Sequence, residues 1–169
     1  MRILSRLFTP SPDPRDTVRA LWQRVVREAR DPYWHRHGVA DTMEGRFDMV
    51  STVLALVMLR MEREPDLTVV TAPLTEIFVE EMDGQLRQSG VGDLMVGKQI
   101  GKLMASLGGR ISAFRTALTD TPGELEPAVH RNITLVNDRH TALLAGRLRQ
   151  LAARLDATDS HALLAGELA

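Results

Sequence analysis

Apolar side chains recur along the chain at spacings of three and four residues, which is the pattern of helices that bury one face. The first stripe predicts a helix that starts at Pro14, behind an Asp13 cap, and ends at Asp31-Pro32. A turn-rich segment, residues 33–40, is predicted to follow it. The core positions of the first helix are Val18, Leu21, Trp22, Val25, Val26 and Ala29.

The second predicted helix is apolar nearly all round its middle. It opens at Asp41-Thr42-Met43-Glu44, an acidic variant of the capping box in which Asp41 is the candidate N-cap. It runs to Arg63, before Pro65 breaks the chain. Such a helix belongs at the centre of a bundle rather than at its surface.

Four further helices are predicted over residues 71 or 72 to 88, 93 to about 118, about 124–135 and about 138–157. No segment alternates apolar and polar residues as a strand would. We therefore expect an all-α fold, a single-domain bundle of about six helices around a central apolar one. The expected organisation is a flexible amphipathic, Pro-rich tail (1–13), a helical domain (14–158) and a C-terminal tail (159–169) that can add a short helix.

Composition narrows the function classes. Cysteine is absent, which excludes disulfides and thiolate metal sites and fits a reducing compartment. The net charge of -1 hides an acidic middle, because residues 61–90 carry two Arg against seven acids between two mildly basic parts. A nucleic-acid-binding protein would concentrate its basic residues on one stripe, so we expect no nucleic-acid partner.

Neither a membrane span nor a secretory signal is visible. The longest apolar run, Met49 to Met61, is shorter than the roughly 20 residues that cross a bilayer. The basic, amphipathic start, Met1 to Phe8, fits either a frayed terminus or a foot on a membrane surface.

Two motifs suggest a nucleotide-binding loop and a metal site, but a structural interpretation is favoured for each. Residues 92–98 match G-x-x-x-x-G-K, but Gln99 replaces the magnesium-binding hydroxyl and no strand precedes the loop, so a turn and a helix start are favoured. His35 and His37 lie near Asp41, yet no further ligand is spaced to complete a metal site. We expect no cofactor, no metal and no enzymatic activity.

Small residues form a ridge along the fourth predicted long helix. Each glycine inside a helix lowers the stability of that helix by roughly 1 kcal/mol relative to alanine. Several such glycines in line therefore call for a compensating interaction. Either the ridge packs closely against another helix, or it leaves an open groove for a partner, edged by Lys98 and Lys102. Its members are Gly97, Gly101, Ala105, Gly108 and Gly109.

Two longer blocks carry a family resemblance. Residues 38–49 (the first block) read Gly-Val-Ala-Asp-Thr-Met-Glu-Gly-Arg-Phe-Asp-Met, and residues 90–98 (the second block) read Gly-Val-Gly-Asp-Leu-Met-Val-Gly-Lys. Together they resemble the ubiquinol–cytochrome c chaperone family, the bacterial relatives of a mitochondrial assembly factor for respiratory complex III. The resemblance is good over residues 33–118; beyond them it rests on helical character.

The resemblance implies an all-helical assembly chaperone for ubiquinol–cytochrome c reductase, not an enzyme. It implies a protein client, newly made cytochrome b or another membrane protein. Without a visible transit peptide the chain looks like a bacterial, cytoplasmic member, and peripheral contact with the inner membrane is left open. The oligomeric state is left open.

The candidate partner-binding residues follow from the two blocks and the ridge. Arg46 and Lys98 stand out because no local backbone rule requires either of them. The full set is Gly38, Asp41, Thr42, Gly45 and Arg46 from the first block, Gly90, Gly92, Asp93, Gly97 and Lys98 from the second, and Gly101 with Lys102 from the ridge.

Two other function classes remain open at this point. One is a nucleotide-binding protein that uses the turn at residues 92–98. The other is a helical scaffold that dimerises through the stripe Leu144, Leu148, Leu151 and Leu155.

Overall fold

A computed structural model of the protein describes residues 13–119 and 123–169. Within these ranges the chain forms helices, one 3-10 turn (Pro14–Val18) and a single isolated β-bridge, with no strand, which confirms the all-α prediction. Residues 1–12 of the predicted tail (1–13) lie outside the described residues, and Asp13 caps the 3-10 turn. In chain order the helices are α1 (Arg19–Ala29), α2 (Pro32–Arg36), α3 (Met43–Met61), α4 (Pro65–Thr68), α5 (Thr71–Gln88), α6 (Asp93–Thr119), α7 (Leu125–Asn132), α8 (Thr141–Ala157) and α9 (Ser160–Leu164).

The six predicted helices correspond to α1, α3, α5, α6, α7 and α8. The predicted turn-rich segment after α1 is wrong in part, because α2 forms there. The Asp31 carboxylate accepts a hydrogen bond from the Tyr33 backbone N–H (2.8 Å) and Pro32 takes the first helical position. The same arrangement caps the 3-10 turn, where Asp13 accepts from the Arg15 N–H (2.9 Å). An Asp-Pro pair therefore starts a helical turn at both places.

α3 is the central helix, as predicted. Every residue from Met49 to Met61 is buried, and the helix contacts α1, α6 and α8. Its N-cap is Thr42, whose hydroxyl accepts from the Gly45 N–H (3.2 Å). The expectation that Asp41 caps this helix is therefore wrong by one residue, and the Asp41 carboxylate is left to make other contacts.

Two arginines lie inside this apolar core, and each donates hydrogen bonds to carbonyl groups at the C-terminal end of a neighbouring helix. Arg60 of α3 is 6% exposed and donates to the backbone carbonyls of Leu155 (3.0 Å) and Thr158 (2.9 Å) at the end of α8. It also pairs with Glu64 (2.6 Å). A guanidinium at the carbonyl end of a helix satisfies orphan acceptors and complements the helix dipole.

Arg110 of α6, 4% exposed, is the centre of a second buried network. It pairs with Asp48 of α3 and donates to the Asn132 carbonyl at the end of α7 (2.6 Å). The other carboxylate oxygen of Asp48 accepts from the backbone N–H (2.9 Å) and the hydroxyl (2.6 Å) of Thr134. Burial lowers the pKa of the Arg110 guanidinium, and the adjacent Asp48 carboxylate opposes that shift. The network joins α3, α6 and the end of α7.

The segment before α3 is held by backbone contacts. Val39 forms the isolated antiparallel bridge with Leu135, and the Ala40 N–H donates to the Thr134 carbonyl (2.9 Å). Gly38 takes a positive φ of 103°, which favours glycine. A Cβ at Gly45 would overlap the Ala40 carbonyl oxygen, so no larger residue fits there.

We expect Asp48→Asn to destabilise the fold by roughly 3 kcal/mol, because it leaves the buried Arg110 charge without its counter-ion. Asp16→Asn is the control, since it removes one partner of an exposed pair with Arg19 and should cost less than about 1 kcal/mol. Urea denaturation measures both. Equal losses of unfolding free energy in the two variants would contradict a larger stabilising role for the Asp48–Arg110 pair.

Two glycine-to-alanine changes should shift stability in opposite directions. Gly45→Ala should destabilise by about 1–3 kcal/mol or more, because the new methyl group meets backbone that cannot move aside. Gly97→Ala should stabilise by roughly 0.5–1 kcal/mol, because its Cβ would face open space in a helix interior. Thermal denaturation compares the two, and a Gly97→Ala variant that melts below the parent would refute the open position.

Candidate functional site

The exposed side chains of the first block form an ion pair at the start of α3. The Arg46 guanidinium donates to one oxygen of Asp41 from Nε (3.0 Å) and Nη2 (2.7 Å). This contact holds the pKa of the Asp41 carboxyl below its usual value. Because both side chains are solvent-exposed, the pair adds little to stability and remains available to a partner.

Asp41 and Arg46 line two adjoining clefts. One, of about 480 Å³, extends toward Arg30 and His35. The other, of about 380 Å³, also contains Thr42 and reaches the end of α5 at Gln88 and its C-cap Ser89. The structure therefore brings the exposed part of the first block beside the point where the second block begins.

The second block forms the α5–α6 connection. Gly90, at a positive φ of 82°, ends α5 in a Schellman motif, with hydrogen bonds from Gly90 N–H to Arg87 O (3.0 Å) and from Val91 N–H to Leu86 O (3.1 Å). The Gly92 carbonyl accepts the first α6 bonds, from Met95 (2.8 Å) and Val96 (3.2 Å).

Asp93 occupies the first position of α6. Its carboxylate pairs with Arg87, which also pairs with Asp83 of α5 (2.6 Å). A carboxylate at this end of a helix is favoured by the helix dipole.

The nucleotide-binding alternative is not supported by this geometry. Residues 93–98 are the first turns of a helix, whereas a phosphate-binding loop must wrap its backbone N–H groups around the ligand. Within the described ranges no strand precedes it.

The two neighbouring histidines have structural partners. The His37 Nδ1 lies 2.8 Å from the Tyr33 carbonyl, and its ring stacks on the Tyr33 ring at 3.9 Å between centroids. The His35 Nδ1 lies 3.3 Å from the Val39 carbonyl. In the part of the chain that the structure describes, no three His, Asp or Glu side chains converge as a metal site would require.

The small-residue ridge of α6 faces solvent. A Cβ added at Gly97, Gly101, Gly108 or Gly109 would meet no other atom within 4 Å. Of the two alternatives, packing inside the bundle is therefore wrong and the open surface is what the structure shows. We define the α6 outer face as Leu94, Gly97, Lys98, Gly101, Lys102 and Ala105, all of them exposed.

An apolar tip and an excess of positive charge characterise this face. Leu94 is 97% exposed and its neighbour Met95 is 46% exposed. Lys98 and Lys102 pair with no carboxylate among the described residues. After Asp93, α6 contains no acidic residue. Sequence reasoning missed Leu94, although a leucine one turn before Lys98, on the polar side of the helix, was a usable signal.

The leucine stripe of α8 is unavailable for dimerisation. Leu144, Leu148, Leu151 and Leu155 are each at most 2% exposed, because α8 packs on α3 and α7. The expectation of a scaffold that dimerises through this stripe is therefore wrong. None of the helices in the described ranges is long and apolar enough to cross a membrane.

Comparison with known proteins places these features in a family. The family model described as Ubiquinol-cytochrome C chaperone matches residues 35–169. In structure the chain is similar to the Cbp3 homolog from Brucella abortus, with a TM-score of 0.80, 28% sequence identity and coverage of 99% of this chain and 96% of that one. No curated protein matches the chain. Because the family match includes both blocks and most of the chain, the protein belongs to the ubiquinol–cytochrome c chaperone family and is an assembly chaperone of complex III.

Proposed function

We propose that the protein binds newly made cytochrome b through the α6 outer face and holds it for assembly into ubiquinol–cytochrome c reductase. The observation that carries the proposal is the open ridge of α6, where glycines and an exposed leucine lie in line on a helix that is otherwise anchored in the core. No catalytic step and no cofactor are part of this function.

A smooth helical face suits a membrane-protein client. Transmembrane helices associate through close van der Waals packing, and small residues such as Gly97, Gly101 and Ala105 let two backbones approach. Leu94 and Met95 can then bury apolar surface against the client at one end of the contact. An amphipathic or apolar client helix laid along this open face would contact it through side chains at helical spacing, as recognition helices do.

The charges beside the ridge favour one orientation of the client. Lys98 and Lys102 are exposed, and their long apolar stems can cover client surface while the ammonium groups stay in water. Positive charge complements acidic loops or the carbonyl end of a client helix. We include the exposed first-block residues, Asp41, Thr42 and Arg46, as a second contact region on the same protein.

The proposal places the chaperone at the cytoplasmic side of the inner membrane, in peripheral contact with it, because a membrane-protein client is made and inserted there. Affinity purification of the tagged protein from membranes, followed by identification of the bound chains, tests the client. Recovery of cytochrome b supports the proposal, and its absence from a purification that retains other complex III subunits would refute it.

We expect Gly101→Leu to abolish capture of cytochrome b while the protein stays folded. Leucine is a good helix former and the site has room for it, so the melting temperature should not fall. Gly146→Leu is the matched control, because Gly146 is also exposed and unobstructed but lies on α8. A Gly101→Leu variant that captures cytochrome b as well as the control does would remove the ridge from the binding surface.

Lys98→Glu should weaken cytochrome b capture without loss of stability, since the side chain makes no ion pair among the described residues. The difference from the parent should shrink as salt is raised, because screening reduces both attraction and repulsion. Arg149→Glu on α8 makes the same charge change on an exposed residue away from the face. If Lys98→Glu captures the client as well as the control Arg149→Glu does, the binding surface must be sought around Arg46.

A further inference from the structure

A groove separate from both family blocks runs along α5. It lies between α5 and the 3-10 turn that precedes α1, and its volume is about 760 Å³. We call it the α5 groove. Its lining residues are Arg15, Ala72, Thr75, Glu76, Val79, Glu80 and Asp83.

The α5 groove combines an apolar floor with acidic walls. Ala72 and Val79 supply the floor, and Val79 is half-buried against the core. Glu76, Glu80 and Asp83 recur at spacings of four and three, so they share one side of α5. A row of acids alone would be an ordinary solvated helix face. The cavity and its apolar floor are what distinguish this row.

The acidic charge of the groove is only partly neutralised. Glu80 pairs with Arg15 (3.1 Å), and Asp83 pairs with Arg87. Among the described residues Glu76 has no ion-pair partner. Arg15 is shared between Glu80 and Asp13, and Arg87 is shared between Asp83 and Asp93, so the acids around the groove outnumber the cations and the lining is negative. A concave surface lined by one sign of charge concentrates ligands of the opposite sign.

We propose that the α5 groove binds a basic amphipathic segment of the membrane-protein client, the Lys/Arg-rich stretch that flanks a transmembrane helix. Cytoplasmic flanks of membrane helices carry an excess of Lys and Arg. The apolar side of such a segment seats on Val79 and Ala72, and its cationic side chains reach Glu76, Glu80 and Asp83. This inference rests on the proposed function and names a second part of the same client.

Two contacts on neighbouring helices suit one client chain. α5 and α6 pack against each other, and ten extended residues span roughly 33 Å, enough to link sites on adjacent elements of a small domain. A client whose apolar helix contacts the α6 outer face and whose basic flank occupies the α5 groove gains affinity because its second contact is intramolecular.

Fluorescence anisotropy with the full chain tests the groove directly. The probe is a labelled 20-residue amphipathic peptide with Lys and Arg on its polar face, and the comparison peptide carries Glu at those positions. We expect only the basic peptide to bind, with an affinity that falls as salt rises.

The informative variant is Glu76→Lys, which reverses the charge of the unpaired wall residue. We expect it to weaken binding of the basic peptide at least fivefold at low salt. Glu81→Lys is the control, because Glu81 is exposed on the same helix but is not part of the groove lining. Equal losses in the two variants, or no binding of the basic peptide by the parent, would overturn the inference.

Other occupants give different results, each of which overturns the proposal. A parent protein that binds no basic peptide, with binding restored by removal of residues 1–12, would mean that the chain's own segment with Arg2 and Arg6 is the occupant of the groove. A dimer that Glu76→Lys dissociates, seen by light scattering, would mean that a second copy binds there.

Different results would refute the proposed function and the proposed role of the α5 groove. Cytochrome b capture that depends on Gly101 but not on Glu76 would overturn the α5 groove and leave the proposed function intact. Peptide binding that depends on Glu76, in a protein that captures no cytochrome b, would refute the proposed client and support the groove as a site for basic segments.

Discussion

The ion pair between the buried Arg110 and the partly buried Asp48 links three parts of the chain that are distant in sequence. One Asp48 oxygen pairs with Arg110, and the other accepts two hydrogen bonds from Thr134, while Arg110 also donates to the Asn132 carbonyl. Burying a guanidinium and a carboxylate is expensive unless every donor and acceptor is satisfied. Here the backbone at the end of α7 supplies the missing partners, so the pair fixes α6 against α3 and joins α7 to both.

This anchoring divides α6 into two unlike halves. The C-terminal half buries Leu107, Arg110, Phe114 and Ala117, whereas Val96 is the one buried residue between positions 93 and 106. Interior glycines weaken a helix, and those of the N-terminal half have no close packing that would offset the loss. The fold does not account for their presence on an open face, which supports the proposal that a partner binds there. The long, core-anchored helix supplies a rigid platform for that face.

Periodicity predicted the long helices well and the short ones poorly. α5 (Thr71–Gln88) and α6 (Asp93–Thr119) lie within a residue or so of the predicted bounds, because each combines a sustained apolar stripe with clear stop signals. The sequence predicts a turn where α2 forms, because five residues show no period and Asp31-Pro32 starts a turn or a helix equally well. The long-range partners of Arg60 and Arg110 could not be predicted, since these contacts span 22 to 98 residues. An arginine inside the Leu107–Phe114 stripe was the available hint.

The glycines of the two blocks show why a family motif overstates a binding site. Gly38 and Gly90 have positive φ values, and Gly45 contacts backbone too closely for any side chain, so the fold alone requires all three. Spacing in the sequence could not separate them from Gly92 and Gly97, which have ordinary φ values and free space around them. A glycine that neither the backbone conformation nor close packing requires needs another explanation. On that criterion the partner-binding residues are to be sought among the exposed residues of the blocks, such as Asp41, Arg46, Gly92, Leu94, Gly97 and Lys98, which lie at the surface from the start of α3 to the first turns of α6.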